Sequence, residues 1–150
     1  KELTETKGTT TPLIQAIGKN RETMVKVLLE EGATVDLRCS AENNRTAMFF
    51  AVYDNRRPLV ELLLKHGANV DLPADAEFAP LRLASDMGNL DVMEALVKGG
   101  ANVNLTGPEG ETALLQAIGA HRLEAVRFLL AHGADVGISY NRGTTPLMMA

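Results

Sequence analysis

The chain has 150 residues, enough for one ordinary domain. Its 45% hydrophobic and 23% charged residues lie near the soluble globular average and argue against intrinsic disorder. The net charge of −4 gives no basic face for nucleic acid and argues against an anionic membrane surface, and the longest Lys/Arg run, Arg56–Arg57, reads as a solvated pair. A single cysteine, Cys39, excludes an internal disulfide and a metal site built on paired cysteines, and no run of about 18 apolar residues is present to span a bilayer.

Aromatic residues make up only 4%, with no Trp, so the core must be Leu, Val, Ile, Met and Ala, which suits thin helical layers. The first five residues, Lys1 to Glu5, carry neither a signal-peptide pattern nor an initiating Met, so the segment is expected to belong to a longer chain. Residues 1–10 read as the return arm of a hairpin. A short helix is predicted over 12–19. Thr11 can cap it, Pro12 fits its first turn, and Leu13, Ala16 and Ile17 share one face. It should stop at Asn20, because Asn tolerates positive φ. A second helix is predicted over 22–31, ending at Gly32 as the C′ residue.

The same pair of helices recurs along the chain. Second helices are predicted over 58–66, 90–99 and 123–132, ended by Gly67, Gly100 and Gly133, while Asn55, Gly88 and His121 stop the first helices. Small residues (Ala16, Ala51, Ala84 and Ala117) in the first helices let neighbours approach closely. Gly-Ala occurs at Gly32-Ala33, Gly67-Ala68, Gly100-Ala101 and Gly133-Ala134, with spacings of 35, 33 and 33. The apolar pairs Leu28-Leu29, Leu63-Leu64, Leu96-Val97 and Leu129-Leu130 keep those spacings. So do the helix starts Thr11-Pro12-Leu13, Thr46-Ala47-Met48, Ala79-Pro80-Leu81, Thr112-Ala113-Leu114 and Thr145-Pro146-Leu147, with one more step of 33. No unit can bury its apolar face alone, so stacking must make one continuous core.

These motifs resemble the ankyrin repeat over nearly the whole chain. The resemblance implies an all-α solenoid of stacked helix–turn–helix units joined by β-hairpin-like loops. The units run over about 8–40, 43–75, 76–108 and 109–141, with a partial one over 142–150. The chain departs from the family where its His follows Thr-Pro-Leu: Ile14, Phe49, Arg82, Leu115 and Met148 stand there, so the hydrogen bonds of that His must be absent or replaced. Ala79 lacks the capping hydroxyl, so the third unit should start less firmly, by roughly 1 kcal/mol. The hairpin over 37–45 is two residues longer than its counterparts. The last residues stop inside a first helix and leave Leu147, Met148 and Met149 without a second helix, so the parent chain is expected to continue.

No residue pattern asks for a cofactor, a metal or catalysis. Cys39 reads as an ordinary loop cysteine. His66 and His132 sit before Gly-Ala at helix ends, 66 residues apart and roughly 20 Å by helix stacking, too far to share a metal. His121 serves a helix link, and Gly107 to Gly110 is a hairpin tip rather than a phosphate loop.

The resemblance implies partner binding in a concave groove of hairpin tips and first helices. Transferred position by position, it gives Tyr53, Asp54, Asp86 and Met87 on first helices, and Arg45, Asp75, Phe78, Glu111, Tyr140 and Arg142 in or beside hairpins. One expectation is a hot spot of Tyr53, Phe78 and an exposed Met87 bordered by Asp54, Asp75 and Asp86, which favours a basic partner segment. The alternative has Phe78 packing on its neighbouring hairpin and the charges solvated. Phe128 reads as core, as does Phe50, and Phe49 packs at a helix start. The expected function is a monomeric, intracellular (cytoplasmic or nuclear) protein-interaction module with no nucleic acid and no membrane insertion. The alternative is the regulatory arm of a larger enzyme or channel, and groove binding of a small molecule ranks behind both.

Overall fold

The computed structural model describes residues 10–39, 44–73, 78–140 and 143–150. Four antiparallel helix pairs stack in chain order: α1 (Pro12–Gly18) with α2 (Glu22–Glu30), α3 (Ala47–Tyr53) with α4 (Arg57–Lys65), α5 (Pro80–Met87) with α6 (Leu90–Lys98), and α7 (Ala113–Gly119) with α8 (Leu123–Ala131). A last short helix, α9 (Pro146–Met149), packs on α7. First helices stack on first helices and second helices on second, which makes two layers.

The start signals act as the side chains dictate. The hydroxyls of Thr11, Thr46 and Thr112 accept from the backbone N–H of Ile14 (3.1 Å), Phe49 (3.3 Å) and Leu115 (3.2 Å). Each satisfies an otherwise orphan donor of the first turn. Ala79 gives α5 no such bond, and Thr145 makes none at α9. α4 begins at Arg57, one residue before the expected start, which leaves Pro58 still in the first turn with no lost bond.

The co-travelling Leu-Leu and Gly-Ala markers are two ends of the same hydrogen bonds. Ala33 N–H donates to the Leu28 carbonyl and Gly32 N–H to that of Leu29; the pattern repeats at Ala68/Leu63 and Gly67/Leu64, at Ala101/Leu96 and Gly100/Val97, and at Ala134/Leu129 and Gly133/Leu130. This paired closure needs a positive φ, between 84° and 92° at these four glycines, which is why Gly recurs there. The first helices close in the same way on Ala16, Ala51, Ala84 and Ala117, whose carbonyls accept from Arg21, Arg56, Asn89 and Arg122. Asn20, Asn55, Gly88 and His121 take the left-handed conformation there, as expected. Residues 31, 66, 99 and 132 cap the second helices rather than extend them, so each ends one residue before its expected limit.

The core runs unbroken between the layers, with Ala51, Val52, Val60, Leu63, Ala84, Leu96, Ala117 and Leu129 fully buried. Phe50 and Phe128 pack against it half-buried. Along the hairpins a polar ladder ties unit to unit. The Asp36 carboxylate accepts from Asn69 N–H (3.0 and 3.2 Å), that of Asp71 from Asn102 N–H (3.1 and 3.2 Å), and Asn104 Oδ1 from Asp135 N–H (2.8 Å). Sequence reading missed it, although Asx residues recur there with the period of the repeat. Among the described residues no strand forms, only isolated antiparallel bridges at Cys39–Arg45 and Tyr140–Thr144.

Candidate functional site

Two Arg–Phe pairs stand where adjacent first helices begin. In the second unit Arg45 lies over the Phe49 ring, 4.5 Å from its centroid. In the third unit the order is exchanged: Arg82 lies 5.1 Å from the ring of Phe78. In each case the partners are four residues apart, so a residue just before the helix meets one in its first turn. These are the hairpin position before the helix start and the position of the family's His. In both units that position thus takes part in a cation–π contact.

Around the first pair, Phe49 is buried. It meets Phe50 edge-on (5.5 Å, 85°) and stacks with Tyr53 (5.8 Å, 14°). Tyr53 is 56% exposed and Asp54 follows it, also exposed. Cys39, read as an ordinary loop cysteine, is buried, and its N–H donates to the Arg45 carbonyl (2.9 Å). The rest of the longer hairpin, residues 40–43, lies outside the described residues, as do the candidates Asp75 and Arg142.

The second pair forms the wall of a cavity of about 420 Å³ that spans three units. Phe78 and Arg82 line it from the third unit, Glu109, Glu111, Leu115, Gln116 and Gly119 from the fourth, and Tyr140 and Met149 from the last hairpin and α9. Arg82 is only 5% exposed, its Nε has no hydrogen-bond acceptor, and Nη2 stands 3.8 Å from Glu111 Oε1. The guanidinium lies against the Cα of Gly107, where a side chain would collide with Nη1. The turn that carries the carboxylates is closed by Gly107 N–H to the Glu111 carbonyl (2.8 Å) and by Glu109 N–H to Glu111 Oε2 (3.0 Å). Tyr140 donates its hydroxyl to Glu109 Oε2 at 3.3 Å. Phe78, Glu111 and Tyr140, named from sequence, therefore share one cavity. Arg82 and Glu109 complete it. The one sequence signal for Arg82 was a charge at a position filled elsewhere by Ile14, Phe49, Leu115 and Met148.

Of the expected grouping of Tyr53, Phe78 and Met87, Tyr53 is exposed and Met87 is not. Phe78 lies two residues before the start of α5 and Met87 is its last residue. Met87, expected to be exposed, is half-buried against the core, within reach of Asn89 Nδ2 (3.9 Å to Sδ). Asp86 is tied to the next unit: its carboxylate accepts from Gln116 Nε2 (2.8 Å) and its carbonyl from Arg122 Nε (2.9 Å).

The basic pair Arg56–Arg57 is engaged in ion pairs on the second-helix layer. Arg56 meets Glu22 (2.6 Å); Arg57 meets Glu61 (2.7 Å) and Glu94 (2.8 Å), and Lys98 also meets Glu94 (2.9 Å). The hydrogen bonds that Arg57 donates to Glu61 and Glu94 push its pKa above the ordinary value. Lys98 first, then Arg57, holds the Glu94 carboxyl below the usual carboxylate range. His66 and His132 cap their helices, and His132 Nδ1 contacts the Phe128 carbonyl at 2.7 Å. Among the described residues no group of three His, Cys, Asp or Glu is placed to hold a metal, and no helix is long and apolar enough to cross a membrane.

A family model described as "Ankyrin repeats (3 copies)" matches residues 1–74 and 81–150. The chain belongs to the ankyrin-repeat family, whose members are in general protein–protein interaction modules and typically non-catalytic. A search of curated proteins found no match.

Proposed function

We propose that the chain is a non-catalytic module that binds a partner protein or peptide along the face built by its first helices and hairpin turns. The observation that carries this reading is the cavity at Phe78, Arg82, Glu111 and Tyr140. It is large enough for a side chain, is walled by two aromatic rings, and is assembled from three successive units at that face. Arg45, Tyr53 and Asp54 extend the same face toward the N-terminal units. Across the molecule, the second-helix layer presents cross-unit ion pairs that already satisfy each other, and such exposed pairs make poor anchors. The buried Cys39 and the absence of any disulfide need fit a reducing, intracellular setting. The module acts as a monomer, without nucleic acid.

Capture from lysate tests this reading. The native chain is compared with a Tyr53→Ala/Phe78→Ala variant and with an Arg57→Ala variant of the opposite layer, each checked for helical content by circular dichroism. The expected result is a protein retained by the native chain and by Arg57→Ala and lost with the aromatic variant. Retention by the aromatic variant together with loss in Arg57→Ala would overturn it.

A further inference from the structure

Arg82 is a charge in a place where the other units put apolar side chains. Ile14, Phe49 and Leu115 stand at that position and are buried there, as Arg82 is. We infer that Arg82 acts on position rather than on stability: its guanidinium latches the turn over 107–111 of the fourth unit to α5 of the third, and so sets the shape of the partner-binding face where those units meet. The latch stands on contacts within the chain. Its consequence for binding rests on the protein-binding reading and deepens it.

Three observations carry the latch. First, the guanidinium crosses the junction. It lies over the Phe78 ring beside its own helix start (5.1 Å) and brings Nη2 within 3.8 Å of Glu111 Oε1 in the next unit. A side chain at Gly107 would collide with Nη1 and with Glu111 Oε2, so guanidinium and carboxylate together fill the space beside that glycine. Second, the turn passes its position on. Glu109 N–H donates to Glu111 Oε2, Tyr140 donates to Glu109 Oε2, and a side chain at Gly110 would collide with the Ser139 carbonyl. The setting of the turn therefore reaches the last hairpin as well. Third, the contact is energetically poor. Nε has no hydrogen-bond acceptor, and the approach to Glu111 is longer than a hydrogen bond. Replacing a buried charge so weakly paired by an apolar residue of similar volume is often neutral or stabilising. What the arginine supplies is reach across the junction and a planar end that lies against a backbone. Toward the other end of α5, Asp86 gives its carboxylate to Gln116 and its carbonyl to Arg122, a second contact of the same junction that leaves the latch to Arg82 and Glu111. Arg82 is thus a positioning residue, acting on a partner through the turn it holds.

The test uses the whole 150-residue chain and its Arg82→Met and Arg82→Lys variants, each checked for helical content by circular dichroism. The urea midpoint of Arg82→Met is expected to equal or exceed that of the native chain. Its Gly107 and Gly110 amides should exchange at least about fivefold faster, while those of Met93 and Leu96 in α6 change less than about twofold. Arg82→Lys, which keeps a charge and a long stem without the planar fork, should fall between. Unchanged exchange at Gly107 and Gly110 in Arg82→Met would overturn the latch. A lower urea midpoint with protection lost throughout would overturn it too, since Arg82 would then be an ordinary core contact. The binding consequence is read on the protein captured from lysate, of which Arg82→Met should retain at least about fivefold less than the native chain. Full retention by a variant with a loosened turn would overturn that consequence and leave the protein-binding reading standing. Capture of nothing by the native chain would sink that reading and the consequence together, while exchange at Gly107 and Gly110 would still decide the latch.

Discussion

Thr46 and Ala79 occupy the same position of successive units, and only one carries a hydroxyl. The Thr46 side chain is buried and caps α3, whereas α5 starts without a side-chain cap in the same extended backbone conformation (φ −67°, ψ 152°). Replacing Thr46 or Thr112 by Ala should cost about 1 kcal/mol, and Ala79→Ser should return several tenths to about 1 kcal/mol, read as opposite shifts of the urea midpoint. A midpoint unmoved by Ala79→Ser would mean that Pro80 alone fixes the helix start. Gly107 is required for a different reason. Its backbone accommodates the Arg82 guanidinium, so Gly107→Ala should displace that group and destabilise by about 1–3 kcal/mol through overpacking. Wild-type stability in that variant would show that Arg82 is free to move aside.

At the scale of elements, the helix pairs were legible because each marker is one half of a hydrogen-bonded closure. Leu63 is read from its carbonyl partner Ala68 as much as from its own apolarity. Helix limits shifted by one residue where a capping residue such as His66 donates into the helix without continuing it. The cross-unit ion pairs were not legible, because Glu22 and Arg56, or Arg57 and Glu94, lie 34 and 37 residues apart and meet only once the units stack. The Glu94 network has a pH signature. Its carboxyl is held below the ordinary range, so the stability it contributes is present above the unfolded-state value and is lost as pH falls through the folded one. The urea midpoint of Glu94→Gln should therefore lie below that of the native chain near neutral pH and converge on it in strong acid, where both side chains are neutral. A gap that persists in acid would assign the loss to packing instead. The Arg57 shift runs upward from an already high value, so its charge is present throughout that range.

At the scale of the whole molecule, the first-helix layer depends on small residues that let α3, α5 and α7 approach. Ala84 is fully buried between them, and Ala84→Val should cost about 1–3 kcal/mol and lower the cooperative melting of its neighbours with it, as near-neighbour coupling in a stacked array requires. A local loss, seen as fraying of one unit with the rest unchanged by hydrogen exchange, would contradict that coupling. The candidate site was half legible at this scale. Phe78, Glu111 and Tyr140 were reached by transfer along the repeat. Arg82 was seen only as a missing His, since no single-unit pattern shows that a guanidinium from one unit lies against the hairpin of the next. The exposure expected of Met87 failed for a related reason: its packing against the core is not visible in a single-unit pattern.

The most direct test of the account is an amide hydrogen-exchange footprint of the chain with its captured partner bound. Protection is predicted over residues 105–111 and 138–140 and over the first turns of α5 and α7, with the second helices exchanging as in the free chain. Protection concentrated on α4 and α6, with the hairpins unchanged, would contradict it and move the interface to the ion-paired layer.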